Sequence, residues 1–130
     1  MECTTCGGGT VAFAVPEDLV PFLPGSESAA AICTHCLSLQ PIESAPAGEP
    51  SFDGMGDAFP TNPDVAVPMA LLVGLLDNLA LYRSEISELL ERVERAGTDP
   101  LLVLDRLARD PDIEAEVDLA GRRRQLEQLL

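Results

Sequence analysis

The chain has 130 residues, of which 46% are hydrophobic and only 4% aromatic, and Trp is absent. This length suits one ordinary domain or a small domain with a helical extension, and a core of Ala, Leu and Val favours helices over an aromatic-rich β-sandwich. The chain carries 22 acidic residues against 8 Arg and no Lys, so its net charge of −14 argues against a protein that binds duplex DNA or RNA.

The charges are unevenly distributed along the chain. Residues 1–82 hold ten acidic residues and no basic one, whereas residues 83–130 hold twelve acidic residues and all eight Arg. A carboxylate-rich surface without Lys suits a salt-saturated cytosol, because a Debye length of about 3 Å at 1 M salt screens the repulsion. In dilute buffer the same charge would destabilise the compact state. We therefore expect adaptation to high salt.

Two observations predict a cytoplasmic protein without a membrane span. No positively charged start precedes an apolar run, so the sequence predicts no signal peptide. The longest apolar stretch, residues 65–76, ends at Asp77 and Asn78, and its twelve residues are too few to cross a bilayer.

The first segment, residues 1–43, contains two predicted strands. Residues 10–15, TVAFAV, mix β-branched, aromatic and alanine residues and predict one strand, and residues 29–33, AAAIC, predict the other. Two prolines restrict residues 16–23 to a turn of helix or a loop. A turn is predicted at residues 24–27, PGSE.

The next segment, residues 44–64, is a Pro/Gly-rich connection. It contains four Pro and three Gly in 21 positions, which no regular element tolerates. Phe52, Met55 and Phe59 are embedded in it. A pure spacer seldom carries three large apolar groups, so we expect parts of this segment to lie against the protein.

The last segment, residues 65–130, is predicted to be helical. Pro68 suits a first helical turn and Gly97 suits a position just past the end, so we predict a long helix over 68–96. Seven of its apolar positions form one series, Leu72, Leu75, Leu79, Tyr82, Ile86, Leu89 and Val93, which Leu71, Leu76 and Leu90 widen. The alternation of the seven by three and four residues predicts a coiled-coil-type seam.

Two Asp-Pro steps then place an Asp at a helix cap and a Pro at the first helical position. The first, Asp99–Pro100, predicts a short helix near 100–109, and the second, Asp110–Pro111, predicts a final helix near 111–130. Because the connections are short, the three predicted helices should fold into a small bundle.

The four cysteines form two C-x2-C pairs, Cys3–Cys6 and Cys33–Cys36, separated by 26 residues. Each pair places two sulfurs on one side of a tight turn, and two such turns complete a tetrahedron with Zn–S distances of about 2.3 Å. Three glycines follow Cys6 and allow a sharp turn whose N–H groups point at thiolates. We therefore predict a structural zinc site with Cys3, Cys6, Cys33 and Cys36 as ligands.

Three other interpretations of the cysteines remain open. Two disulfides would need an oxidising compartment, whereas cytosolic thiols stay reduced. A thioredoxin-like redox pair needs one C-x2-C in a βαβ setting, and this chain has two pairs and no βαβ pattern. Iron is the closest rival, but rubredoxin-type sites sit over an aromatic core and this segment offers only Phe13 and Phe22. His35, inside the second pair, is predicted to be an exposed turn residue.

Residues 1–43 look like a zinc ribbon, a small β-hairpin module with a metal-binding turn at each end. The whole chain, including LLVGLLDNLALYRSEISELLERVERAGTDPLLVLDRLARDP, resembles short uncharacterised haloarchaeal proteins of a domain-of-unknown-function family with an N-terminal zinc ribbon. The resemblance implies the ribbon fold and brings no activity with it. We therefore predict a small α+β protein, with a zinc ribbon at 1–43, a connection at 44–64 and a three-helix unit at 65–130.

No enzymatic activity is predicted. Four thiolates would close the coordination sphere, whereas a catalytic zinc keeps an open position. His35 is the only histidine, and neither a G-x-S-x-G motif nor a phosphate-binding loop occurs. The only basic cluster, RRR at 122–124, is expected to pair with nearby carboxylates such as Asp118 and Glu127.

The leading functional hypothesis is a non-catalytic interaction protein whose metal stabilises a module too small to bury enough surface. A continuous helix over 68–96 would be about 43 Å long. Such a helix with an apolar seam predicts a protein partner or self-association as a homodimer. One alternative is a nucleic-acid or transcription-associated ribbon, which the charge does not support. The other is a thiol redox or rubredoxin-like iron protein.

Overall fold

The computed structural model describes residues 2–23 and 27–128, so most of the turn predicted at 24–27 lies outside the described residues. The described residues form a three-stranded sheet followed by four α-helices. The strands are β1 (Thr10–Ala14), β2 (Ala29–Cys33) and β3 (Leu39–Ile42), and the helices are α1 (Pro63–Leu75), α2 (Arg83–Arg95), α3 (Pro100–Arg109) and α4 (Leu119–Glu127). The predicted small α+β class is confirmed, and the helical region differs from its prediction.

The sheet is antiparallel with the order β1-β2-β3. Ala29 pairs with both Ala14 and Ile42, so β2 is the central strand, and all five of its residues are buried. The two predicted strands are confirmed. The third strand, β3, is not among the predicted strands, and it contains Pro41. An edge strand tolerates a proline whose nitrogen faces away from the neighbouring strand.

The predicted single helix over 68–96 is wrong, because the chain divides it into α1 and α2. A 3-10 turn at Leu76–Asn78 follows α1, and the Asn78 carbonyl accepts hydrogen bonds from the N–H groups of Leu81 and Tyr82. Ten of the thirteen residues of α1 are buried, so the helix needs neighbours on every side. The chain folds back here and α2 packs against α1, whereas a straight helix would leave much of that apolar surface in water.

The ends of the helices follow local sequence signals. Asn62 caps α1 by accepting a backbone hydrogen bond and Pro63 occupies its first position, so α1 begins five residues before Pro68. Gly97, with a φ of 95°, follows the end of α2 as predicted. The predicted cap of α3 at Asp99 is confirmed.

The predicted apolar seam lies inside the protein. Leu72, Leu75, Leu79, Ile86, Leu89 and Val93 are buried in one core, and Tyr82 packs against that core half-buried. Self-association stays a prediction, but it would need a different surface. Of the helices within the described residues, none is both long and apolar enough to cross a bilayer.

The prediction of a final helix over 111–130 is wrong in its first part, since α4 begins eight residues later. The Asp110 carboxylate accepts a hydrogen bond from the Asp112 N–H at 2.9 Å and forms a local turn instead of a helix cap. Asp118 caps α4. Between these turns, residues 113–117 alternate apolar and acidic side chains, which is a pattern typical of an extended chain.

The Pro/Gly-rich segment 44–64 contributes to the core. Phe52, Met55 and Phe59 are buried, and the Phe52 ring centroid lies 5.6 Å from that of Phe13 and 5.8 Å from that of Phe59. The expectation that this segment lies against the protein is confirmed. All three predicted segments contribute side chains to one hydrophobic cluster, so the cysteine-bearing sheet is packed on the same core as the helices.

Candidate metal centre

The four predicted ligands lie together in space. The Sγ atoms of Cys3, Cys6, Cys33 and Cys36 are all within 4.8 Å of one another. The Sγ–Sγ distance is 3.6 Å between Cys3 and Cys36 and 3.4 Å between Cys6 and Cys33. A tetrahedral site with Zn–S distances of about 2.3 Å has sulfur–sulfur edges of about 3.8 Å. The arrangement therefore fits one metal ion held by all four sulfurs.

The first turn presents Cys3 and Cys6 just before β1. The Cys3 N–H donates to the Gly8 carbonyl at 2.8 Å, and the Gly7 N–H donates to the Cys3 carbonyl at 3.0 Å. Gly7 has a φ of 79°, which glycine adopts without a steric penalty. A Cβ atom at Gly8 would lie 3.3 Å from the sulfurs of both Cys6 and Cys33. The glycines therefore let the backbone turn tightly beside the sulfurs.

The second turn connects β2 to β3 and presents Cys33 and Cys36. The Cys33 N–H donates to the Ser38 carbonyl at 2.9 Å and closes the turn. Leu37 has a φ of 63°, a conformation that is rare for a bulky residue, and its side chain is buried. The Oγ atom of Ser38 lies 3.2 Å from the Cys36 sulfur. Burial of Leu37 offsets the strain of a turn that aims two sulfurs at the first pair.

Backbone N–H groups donate to the sulfurs of Cys3, Cys6 and Cys33. Thr5 donates to Cys3 at 3.3 Å, Gly8 to Cys6 at 3.4 Å, and both His35 and Cys36 to Cys33 at 3.3 and 3.4 Å. Hydrogen bonds to sulfur favour the thiolate, which is the form that binds metal. The turns thus supply both the geometry and the electrostatic support that a thiolate site needs.

The surroundings shift the pKa values of the thiols in opposite directions. Backbone N–H groups, that of Cys6 foremost, lower the pKa of the Cys3 thiol from 9.0 to about 6. The Gly8 N–H lowers the pKa of Cys6, but the adjacent Cys33 thiol and burial together outweigh it and raise that pKa to about 12. Burial raises the pKa of the Cys36 thiol. A metal ion that binds all four sulfurs near neutral pH must therefore displace protons.

Residues 113–117, which we call the strap, lie along the second turn. The Glu114 N–H donates to the His35 carbonyl at 2.9 Å, and the Glu116 N–H donates to the Cys36 carbonyl at 3.2 Å. The apolar side chains of the strap pack against the main core. The strap therefore fixes the backbone of a ligand from the far end of the chain. The alternation of apolar and acidic residues is the sequence signal for this extended strap. The Asp110–Pro111 step predicts a helix over the same residues, so the signal is missed.

The donor set consists of sulfur alone. His35 is a partly exposed turn residue, as predicted, and its Nε2 atom lies 3.8 Å from the Glu114 carboxylate in a solvent-exposed pair of little energetic weight. All four cysteines are free thiols. Four thiolates suit zinc or iron and do not suit magnesium or calcium, which prefer oxygen ligands.

The basic run at 122–124 is used largely within the chain. Arg122 donates to a backbone carbonyl in the connection between α1 and α2 at 3.4 Å. Arg123 donates to a carbonyl in the first turn of α3 and pairs with Glu127, which confirms one predicted partner. Arg124 is exposed and has no partner within residues 2–23 and 27–128. One unpaired Arg offers little attraction for nucleic acid.

The comparison with known proteins places the chain in a family without adding an activity. Neither a curated protein nor a solved structure matches this chain. A family model matches almost its entire length, from residue 2 to residue 130. A fold shared within a family does not by itself establish a function, so the function has to be argued from the site. The chain belongs to a family of unknown function, DUF6276.

Proposed function

We propose that this is a non-catalytic zinc-binding protein, in which a structural four-cysteine zinc ribbon is joined to a helical unit that serves protein interaction. The proposal rests on the four sulfurs that lie within 4.8 Å of one another. Four protein ligands fill a tetrahedral coordination sphere and leave no position for a substrate or a reactive water. The metal therefore acts on the fold and not on a substrate.

A structural metal suits this sheet because the strands are short. They contain five, five and four residues, so the sheet has few backbone hydrogen bonds of its own. A metal ion held by the two turns would join the chain before β1 to the end of β2 and the start of β3. Through the strap it would also hold the segment between α3 and α4. In small metal-binding modules the free energy of metal binding contributes directly to folding.

The surroundings of the sulfurs favour zinc over iron. Cys3, Cys33 and Cys36 form a buried cluster of their own, separate from the main core that contains Phe13, Phe52 and Phe59. An iron site of the rubredoxin type would be expected to sit over aromatic side chains, whereas a zinc site with a structural role needs only the closed tetrahedron.

The test is elemental analysis of protein purified without added metal and held in molar KCl. We expect one zinc per chain, and a chelator that removes it should expose four reactive thiols. Cys36→Ser should lose stoichiometric zinc, whereas His35→Ala, which changes the same turn but no ligand, should keep it. One iron per chain with visible colour would support an electron-transfer protein. No metal, or rapid alkylation of two thiols in the native protein, would support a thiol redox function.

A further inference from the structure

Glu2 bridges to Gly9 just before β1, and beyond Thr10 the outer edge of β1 presents backbone groups that the described residues do not use. Two hydrogen bonds show which residues of β1 bond to β2. The Val15 N–H donates to the Ser28 carbonyl at 2.8 Å, and the Thr34 N–H donates to the Gly9 carbonyl at 2.9 Å. In the antiparallel register, Val11 and Phe13 therefore direct their backbone groups toward β2. Ala12 and Ala14 direct theirs outward, and those groups have no partner in the part of the chain that the structure describes.

The two edges of the sheet differ. On β3, Pro41 is opposite Ala30 at a position whose backbone groups face outward, so this edge lacks an N–H there, and α1 packs against the same strand. Proline, charge and covering elements are the usual protections of a sheet edge. β1 contains neither a proline nor a charged residue. One edge of the sheet is thus protected and the other is able to accept a strand.

A groove of about 500 Å³ lies beside β1. Its walls are β1 itself, residues 45–51 of the Pro/Gly-rich segment, and the start of α1 as far as Val67. Most of the lining side chains are alanine, proline and valine. An added strand needs a spacing of about 4.8 Å from its neighbour and small or apolar side chains along the edge. The groove provides both a bonding edge and an apolar wall.

The charge of the groove indicates what binds there. Its two charged lining residues, Glu49 and Asp64, are both acidic, and no ion pair involves either within residues 2–23 and 27–128. No basic residue occurs anywhere in residues 1–82. A second copy of this chain would bring the same two carboxylates to the interface and be repelled. A segment with Lys or Arg would be attracted.

We propose that this groove binds an extended segment of a partner protein, in which apolar residues alternate with Lys or Arg, and that the segment adds to β1 as a fourth strand. Backbone hydrogen bonds to Ala12 and Ala14 supply the attachment, and Glu49 and Asp64 select the basic side chains. The proposal rests on the proposed function, because the metal-bound turns set the position of β1.

The test uses the zinc-loaded full chain and a short capped peptide of alternating Val and Lys, at the lowest KCl concentration at which the chain stays folded, because molar salt would screen the two carboxylates. Backbone amide hydrogen exchange is measured residue by residue. At saturating peptide, exchange at Ala12 and Ala14 should slow by about tenfold or more. Exchange at Gln40 on β3 should not change. A peptide with Glu in place of Lys should have no effect, and an N-methylated Val–Lys peptide, which cannot donate the strand hydrogen bonds, should not bind.

Protein variants test separately the backbone edge of β1 and the two carboxylates of the groove. Ala12→Pro should abolish binding and leave the β1–β2 ladder intact, because the lost N–H points outward. The pair Glu49→Gln and Asp64→Asn should weaken binding by roughly threefold to tenfold. The matched control, Glu91→Gln with Glu94→Gln, makes the same change of charge on α2, away from the groove, and should leave the affinity nearly unchanged.

Unchanged exchange at Ala12 and Ala14 in protein with one zinc per chain would overturn this proposal and leave the proposed function standing. Protection that grows with protein concentration in the absence of peptide would also overturn it, because it would show that a second copy occupies the edge. Absence of zinc would instead contradict the proposed function, and the zinc content is measured on the same sample.

Discussion

The cysteine-bearing sheet and the helical region of this protein bury very different side chains. β2, the centre of the sheet, begins with three alanines, and three of the four cysteines are buried beside its end. α1 buries ten residues, most of them Leu, Val, Met or Ala. Because full burial of one Val, Leu or Met side chain contributes about 1.5–3 kcal/mol, apolar packing alone can hold α1 in place. The sheet has less side-chain volume to bury, and under the proposed function it depends more on the cross-link that a bound metal would supply.

Removal of the metal and truncation of a core side chain should therefore destabilise different parts of the protein. The two cysteine turns meet at their sulfurs and the strap is hydrogen-bonded to the second turn, whereas α1 and α2 pack on each other. The two regions meet where β3 lies against α1 and where the Pro/Gly-rich segment enters the core. The following changes test how separate they are.

The largest effect is expected for Cys36→Ser. This change removes a buried ligand and opens the coordination sphere, so the protein should lose stoichiometric zinc and more than about 4 kcal/mol of its free energy of unfolding. Urea unfolding in molar KCl, with zinc measured on the same sample, gives both values. Full zinc content with a loss below about 1 kcal/mol would show that Cys36 is not a ligand.

Phe52→Ala should have the next largest effect. Phe52 is fully buried between Phe13 and Phe59, so its truncation should cost about 3–5 kcal/mol while leaving one zinc per chain. Phe22→Ala, which truncates a half-buried phenylalanine, is the matched control and should cost clearly less. A loss below about 1 kcal/mol for Phe52→Ala would mean that the Pro/Gly-rich segment adds little to the core.

Zinc affinity should rise with pH. Cys6, with a pKa of about 12 in the metal-free site, and Cys36, whose pKa is raised, hold protons at neutral pH that the metal must displace. Because two protons are displaced, affinity should fall by at least about a hundredfold for each unit decrease in pH. Below about pH 6 the slope should steepen, because the Cys3 thiol is then protonated as well. Competition with a chelator at several pH values measures the slope, and a flat profile would contradict thiolate ligation.

A smaller effect is expected for Gly74→Ala, at the contact between the two regions. A Cβ atom there would lie 2.7 Å from the Leu39 Cβ, which cannot move without moving β3. The change should cost about 1–3 kcal/mol despite the higher helix propensity of Ala. Gly54→Ala, where the new Cβ meets its nearest neighbour at 3.6 Å, should be nearly neutral. Thermal unfolding compares the two variants, and equal stability would mean that β3 does not rest on α1.

The sequence predicts the metal centre better than the helices. Each C-x2-C pair forms a tight turn from local geometry, and the predicted hairpin of β1 and β2 brings the two turns together. The strands of the hairpin follow from their composition for the same reason. Neither prediction depends on how the rest of the chain packs.

The helical errors come from tertiary packing. The seam from Leu72 to Val93 has a continuous helical period, but the all-round apolar character of α1 forces the chain to fold back after Leu75. The cap signal at Asp110 predicts a helix, whereas backbone hydrogen bonds from the strap to His35 and Cys36 favour an extended chain. Both outcomes depend on contacts between residues distant in sequence, which local patterns do not contain.

The central claim is that one metal holds the two cysteine turns and the strap, while apolar burial holds the helices. Backbone amide hydrogen exchange of the full chain in molar KCl, before and after removal of the metal by a chelator, tests it most directly. We predict that the amides of His35, Glu114 and Glu116 lose their protection on removal, whereas Leu72 and Leu89 keep theirs. Unchanged protection at all five positions would contradict the claim.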